Sequence, residues 1–330
     1  MIGTGSIGGT IATLLASAGH EVAVTTRGDV LAAVRENGLH LDGAWGEHHA
    51  HVEASETLTD TPDLVFLCTK AQDAGEALRA NMEQLTGTTL VVVQNGLTGL
   101  TEATERLPNT TCVGALALYA ASYIAPGHVR VTTTANTYLG AGSGATPPAA
   151  VWVAQTLETA MPAMTVSNFT GCQWTKLMVN QVNAMPAITG LSAQETLTHP
   201  RLRRIITASM QEGVRIGYAR GVRFGNIQGL NNAILKFVAH APLSVAQIVP
   251  ALIRRRMGSV ANPGSTLQSI RRGAQTEIDY LNGAVVAEAQ RVNRSAPLNA
   301  ALTLMVHEVE ASGVFFTPDH VDTRLRGLVR

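Results

Sequence analysis

The chain has 330 residues, enough for two domains with a core in each, and its 24 basic side chains balance 24 acidic ones at a sequence pI near 7.2. That balance argues against a nucleic-acid-binding protein, whose domains are strongly basic, and no apolar run approaches the ~18 residues of a membrane span. The three cysteines, Cys68, Cys112 and Cys172, are odd in number and show no C-x-x-C spacing, so free thiols in a reducing cytoplasm are expected.

The first element announces itself as Gly3-Thr4-Gly5-Ser6-Ile7-Gly8, a G-x-G-x-x-G loop. In a dinucleotide-binding fold the first glycine permits a tight turn and the second lets backbone N–H groups approach the phosphates. The third lets the next helix pack closely, with its positive end toward the anion. Such spacing alone is weak, but the context is a βαβ unit. Residues 7–18 are apolar at helical spacing, Gly19 stands where a C-cap belongs, and residues 21–26 read as a short β-branched strand. An acid at the end of that second strand usually binds the ribose of NAD. Here the end is Thr25-Thr26-Arg27, and Asp29 comes two residues late. The fork of donors on Arg27 suits a 2′-phosphate, which favours NADPH/NADP over the NAD pair; the alternative is a solvated loop arginine.

Only Met1 and Ile2 precede the loop, although a strand typically has about five or six residues. Either the true start lies upstream or the sheet lacks most of one strand, and the former is the expectation. A secretory signal is rejected: Ala16-Ser17-Ala18 resembles a cleavage site, but there is no basic n-region and glycines break the apolar stretch. The stretch 47–51 holds His48, His49 and His51 in no metal-binding spacing, and is expected to be an exposed loop or edge strand without a metal.

Further on, residues 64–69 form a continuous apolar run of the buried parallel-strand kind. A helix is predicted over 73–85, strands over 88–94 and 110–118, and an extended or hairpin region over 128–139. Residues 140–148 are turn-rich, 151–160 helical, and 164–167 a last short strand. Alternating strands and helices imply a parallel sheet covered on both faces. Ligands of such sheets bind beyond the carboxyl ends of the strands, where Arg27, Lys70 and Asn95 fall. After Asn168 helical periodicity dominates, over 171–188, 199–219, 226–239, 244–257, 264–290 and 297–312, with a mostly irregular stretch beyond Ser312. The expectation is an α/β chain: an N-terminal Rossmann-like parallel-sheet domain (1–167) followed by an all-helical C-terminal domain (168–330). The arginine clusters at 201–204, 254–256 and 271–272 read as solvated helix faces, with an anionic-substrate field as the alternative.

Two helical segments carry candidate chemistry. On a helix through 174–183, Lys176, Asn180 and Asn183 fall within roughly 60° of arc. A lysine and two amides on one stripe among apolar neighbours is either a functional face or an exposed polar one. The second segment runs from Gly264-Ser265 to Thr276-Glu277-Ile278-Asp279-Tyr280-Leu281-Asn282-Gly283. Alone, Glu277 could be a surface acid. Gly283 hints at close packing, since an interior helical glycine costs about 1 kcal/mol relative to alanine.

Taken together, GTGSIGG, the strand end at Lys70, QNG at 94–96, W-x-K-x-x-x-N at 174–180 and TEIDYLNG at 276–283 resemble ketopantoate reductase in order and separation, from residue 1 to about 285. The resemblance implies NADPH-dependent reduction of a 2-oxo acid to a 2-hydroxy acid, with 2-dehydropantoate first among substrates. It implies Lys176 as general acid, Asn180 as substrate ligand and Ser265 at the substrate carboxylate. Glu277 would lie beside the lysine and the cofactor ribose, and Lys70 and Asn95 near the nicotinamide end. Two positions depart from the family pattern: Ala184 stands where a second substrate asparagine is common, with Asn183 one residue earlier, and Ser269 stands where an aspartate is frequent. Other readings are a family member acting on a different 2-oxo or 2-hydroxy acid, and a non-catalytic NADP-binding protein. The long apolar C-terminal helices suit either a homodimer interface or the core of the helical domain.

Overall fold

In a computed structural model, residues 1–257 and 261–329 are described, without the side chain of Arg256. The strands are β1 (Ala23–Thr25), β2 (Leu39–Gly43), β3 (His48–Ala50), β4 (Glu53–Ser55), β5 (Leu64–Leu67), β6 (Thr89–Val93), β7 (Thr111–Ala117), β8 (Ala120–Ala125), β9 (His128–Thr133), β10 (Thr137–Gly140) and β11 (Ala163–Thr165). They form a run β11-β10-β7-β6-β5, a pair β1-β4 and a separate sheet β3-β2-β9-β8. The fold is α/β with a parallel-rich sheet at the N-terminus and a helical C-terminal region. It divides into two compact units, Met1–Thr170 and the residues from Gly171 onward.

The first residues join the sheet through backbone hydrogen bonds. Ile2 bridges Thr25 on one side and Leu67 on the other, both in parallel. Its N–H donates to the Phe66 carbonyl at 2.8 Å, and its carbonyl accepts from the Cys68 N–H at 2.8 Å. On the other edge the Thr25 N–H donates to Met1 and the Gly3 N–H to Thr25. Ile2, flanked by Met1 and Gly3, therefore joins β1-β4 to β5. The runs in β5 and β6 are buried on both faces, which is why they are apolar without alternation. In β10 the direction reverses, antiparallel to β7, through the β8-β9 hairpin, whose second strand opens the region 128–139 expected to be extended or a hairpin.

Directly after Ile2, Gly3 takes φ +89°, a left-handed conformation that favours glycine. The helix Ser6–Ser17 then starts so close to the turn that a Cβ on Gly8 would lie 1.9 Å from the Gly3 carbonyl oxygen. A Cβ on Gly5 would meet nothing within 4 Å. The helix buries Ile11, Leu14 and Leu15 in a core shared with Val24, Leu39, Leu41, Val129 and Val131.

In the second unit several predicted helices are interrupted. The segment 171–188 is a helix Phe169–Asn180, a 3₁₀ turn Gln181–Asn183 and a helix Ala184–Thr189. Pro186 has no N–H for the Val182 carbonyl, so the α-helical ladder cannot continue unbroken. The helix expected from 226 begins at Asn232, capped by Asn231, whose side chain accepts from the N–H groups of Ala233 and Ile234. The segment 264–290 divides into Gly264–Arg271, the 3₁₀ turn Ile278–Tyr280 and Asn282–Gln290. Pro297–Ser312 matches its prediction, and Pro318–Leu325 is a helix where an irregular stretch was expected.

The two loop glycines should separate by experiment. Gly8→Ala forces a methyl into a carbonyl and should lower unfolding free energy by about 1–3 kcal/mol or more. Gly5→Ala should leave chemical denaturation nearly unchanged while weakening dinucleotide binding, measured by fluorescence titration.

Candidate active site

In the first unit, a cavity of about 240 Å³ opens at the carboxyl ends of the central strands. Its wall includes Gly3, Thr26, Arg27, Glu56, Thr69, Asp73 and Glu76. Of the residues expected to hold the cofactor, Gly3 and Arg27 line it directly. Thr4 to Gly8 continue from it as the turn and first helical residues of Ser6–Ser17. That helix has Gly5 as N-cap with no side-chain capping bond and no acid in its first turn, so its positive end is not neutralised locally. The Thr4 hydroxyl is buried without a hydrogen-bond partner among the described residues. Open space at Gly5 beside an uncapped helix end fits a pyrophosphate. Lys70 is the N-cap of the helix Ala71–Ala80, and Asn95 follows β6. These two strand ends are tied together by Gln94, whose amide donates to the Thr69 carbonyl at 3.1 Å.

Arg27 is not a lone loop arginine. Its guanidinium donates to Glu76 Oε1 at 2.8 Å, with both side chains 61% exposed. Glu76 lies 49 residues away on another element, so no local pattern in the sequence signalled the pair. With Glu56 and Asp73, it gives the cavity three carboxylates around one guanidinium.

In the second unit, the lysine helix is placed by small residues on a neighbour. The helix Pro200–Ala219 presents Gly213 and Gly217, one turn apart. A Cβ on Gly213 would lie 2.8 Å from Met178, and one on Gly217 would lie 2.6 Å from Phe224 and 3.2 Å from Trp174. Trp174 and Met178 therefore seat into a groove that only glycine leaves open. The Thr175 hydroxyl bonds the Gly225 carbonyl at 2.8 Å and fixes the other side. Lys176 and Asn180 remain half-buried on the same helix.

Burial pushes the Lys176 ammonium down to about 8, while the nearby Glu277 carboxylate pulls in the opposite direction. Lysine and glutamate, 101 positions apart, are thus brought together. Asn183 sits in the 3₁₀ turn beside Gly264: a Cβ there would be 3.0 Å from Asn183 Oδ1. Ser265 follows Gly264 and is exposed. Ala184 is fully buried in the helical core, so it is Asn183 that faces the Ser265 segment. Ser269 is also buried and bonds the Ser265 carbonyl.

Two supporting arrangements had no sequence signal because their partners are distant in the chain. Gln181 and Asn282 meet in a buried amide network. The Asn282 amide donates to Gln181 Oε1 at 2.8 Å and Asn299 Oδ1 at 2.9 Å, and Ser209 Oγ contacts the same two acceptors at 2.7 and 3.0 Å. The network ties the segment after Lys176 to the segment after Glu277. The Glu277 turn is also held from outside: Glu310 accepts the Thr276 N–H at 2.7 Å, and His307 bridges Glu310 and Asp279 at 2.6 and 3.0 Å. Burial disfavours the charged imidazole, but its bonds to Asp279 and Glu310 outweigh this and raise the His307 pKa.

Both units match known proteins. The family model described as ketopantoate reductase PanE/ApbA matches residues 1–144, and its C-terminal counterpart matches residues 168–310. A 2-dehydropantoate 2-reductase of Halobacterium salinarum is 28% identical over 320 residues, covering 94% of this chain and 98% of its own. Its namesake from Pyrococcus horikoshii is 27% identical over 316 residues, covering 95% and 97%. Among solved structures, a PanE/ApbA family ketopantoate reductase from Ralstonia eutropha aligns at a TM-score of 0.78 with 26% identity, covering 94% of this chain and 97% of that one. A D-mandelate dehydrogenase in a ternary complex with NADH and anilino(oxo)acetate shares the fold at a TM-score of 0.79 with 21% identity, over 94% and 97% of the two chains. The fold and these matches define an oxidoreductase acting on CH–OH groups. The chain belongs to the ketopantoate reductase family.

The amide network yields a stability prediction. Asn282→Leu removes the donor to Gln181 and Asn299, and the single Ser209 proton cannot serve both. One buried acceptor is then left without a partner, which should cost about 1–3 kcal/mol in urea unfolding.

Proposed function

We propose that this protein reduces a 2-oxo acid to the 2-hydroxy acid with NADPH, and that 2-dehydropantoate is its substrate. The observation that carries the reading is Lys176, half-buried beside Glu277 with an ammonium pKa near 8. The names of the relatives support the substrate. In this reading the first unit binds the cofactor and the second the substrate. The nicotinamide, when bound, supplies the hydride. Gly3 to Gly8 hold the pyrophosphate, Arg27 the 2′-phosphate, and Lys70 and Asn95 the nicotinamide end, with Glu277 at the ribose.

The substrate carboxylate is held by Ser265, and Asn180 and Asn183 orient the 2-oxo group. The Lys176 ammonium donates a hydrogen bond to the ketone oxygen. As that oxygen gains negative charge, the ammonium stabilises it and transfers a proton, leaving a neutral amine and a hydroxyl. A lysine titrating near 8 gives up its proton more readily than one at the ordinary value of 10.5. Glu277 sets the balance by keeping enough of the lysine charged.

NADPH oxidation with 2-dehydropantoate and a panel of branched and aromatic 2-oxo acids tests the function. Turnover is expected, and its absence with every acid would refute the reading. Lys176→Ala should lower kcat by about two orders of magnitude or more. The general acid must be protonated, so kcat/KM for reduction should be level below about pH 8 and fall above it. Glu277→Gln removes the charge that raises the lysine pKa and should move that fall to lower pH.

Cofactor choice has its own test. Arg27→Ala should raise KM for NADPH sharply and leave that for NADH nearly unchanged. Glu76→Gln frees the guanidinium and should lower KM for NADPH. Equal effects on both cofactors would show that Arg27 does not read the 2′-phosphate.

A further inference from the structure

The histidines at 48–51 have no metal-binding spacing along the chain, but spacing across the sheet is another matter. Strand β2 lies between β3 and β9, and the register sets His40 opposite His49 on one side and His128 on the other. Residues in register share a face, so three imidazoles stand in one row. Their neighbours Leu39, Leu41, Val129 and Val131 point to the other face and are buried in the core with the helix Ser6–Ser17. The His40 ring stacks on both others at 4.1 Å between centroids, tilted 11° to His49 and 17° to His128.

We propose that His40, Glu47 and His49 form a binding site for a first-row divalent transition-metal ion, of the zinc or nickel class. Glu47 Oε1 lies 3.6 Å from His40 Nε2 and 3.4 Å from His49 Nε2. An ion with ligands at 2.0–2.2 Å in tetrahedral array has ligand–ligand edges of about 3.4 Å. The donors are two imidazoles and a carboxylate, a set that suits these ions better than magnesium or calcium. His40 Nε2 is shielded from solvent and has no hydrogen-bond partner among the described residues.

His40 is packed on His128, whereas the side chains of His49 and Glu47 are 62% and 71% exposed, so the His49 ring can swing out of its stack on His40 to turn its lone pair toward the ion. The other side of the row is less suitable. Asp42 already accepts two bonds from Arg130, at 2.6 and 2.7 Å, and contacts His128 at 3.1 Å. The guanidinium there repels a cation. An ion at the His40 side would staple the β2-β3 hairpin, independently of any reductase activity.

The test is calorimetric titration of the whole chain with zinc chloride at neutral pH. The expected result is one saturable ion per chain and a rise in Tm on zinc addition. His49→Ala and Glu47→Gln should each weaken zinc affinity at least tenfold and abolish most of the Tm rise. His51→Ala, an exposed histidine outside the row, should change neither. Both test positions are exposed, and an unchanged circular dichroism spectrum confirms that the variants fold. Failure of the wild type to take up zinc saturably, or equal affinity in His49→Ala, would overturn the proposal.

Discussion

The first unit depends on a two-residue strand. Ile2 satisfies both sheet edges at once, with its own amide and carbonyl toward β5 and those of Met1 and Gly3 toward β1. Without it, β1-β4 and the β5 side of the sheet share no hydrogen-bonded neighbour. The glycine loop leaves directly from this junction, so the cavity lined by Gly3 and Arg27 inherits its geometry from it. Gly3 can turn there because its φ is positive, and Gly8 can follow because it lacks a side chain.

The second unit uses the same physical device for a different end. Gly213 and Gly217 create a groove, and Trp174 and Met178 fill it. Their burial fixes the rotation of the helix about its axis, which leaves Lys176 and Asn180 half-buried. The lysine's lowered pKa thus comes from packing that places a charged group among apolar neighbours, with Glu277 limiting the shift. The lysine's shifted pKa and the close packing are two results of one arrangement of small residues.

What could be read in the sequence was what local pattern encodes. The helix after the glycine loop, the apolar runs of β5 and β6, and Pro297–Ser312 follow directly from periodicity. Lys176 and Glu277 stood out through motifs, although nothing local showed that they meet. The break at Gln181–Asn183 was hidden because apolar periodicity persists through it, and only Pro186 signalled it. The Arg27–Glu76 pair, the imidazole row and the clamp of His307 on the Glu277 turn were beyond reach. Each depends on register or packing between segments far apart in the chain, which no window of sequence contains. Of the sheet β3-β2-β9-β8, the sequence signalled only an exposed loop or edge strand at 47–51 and an extended or hairpin region from 128; the parallel pairing of β2 with β9, which joins segments far apart in the chain, had no local signal.

The amide network has a consequence for how the site responds to change. Gln181 follows directly on the helix that ends at Asn180, and Asn282 follows the turn that begins at Glu277. Their side chains share donors and acceptors with Ser209 and Asn299, so neither segment can shift without breaking bonds of the other. The lysine and glutamate segments are therefore thermodynamically coupled, and substitutions in one alter the energetic effect of substitutions in the other.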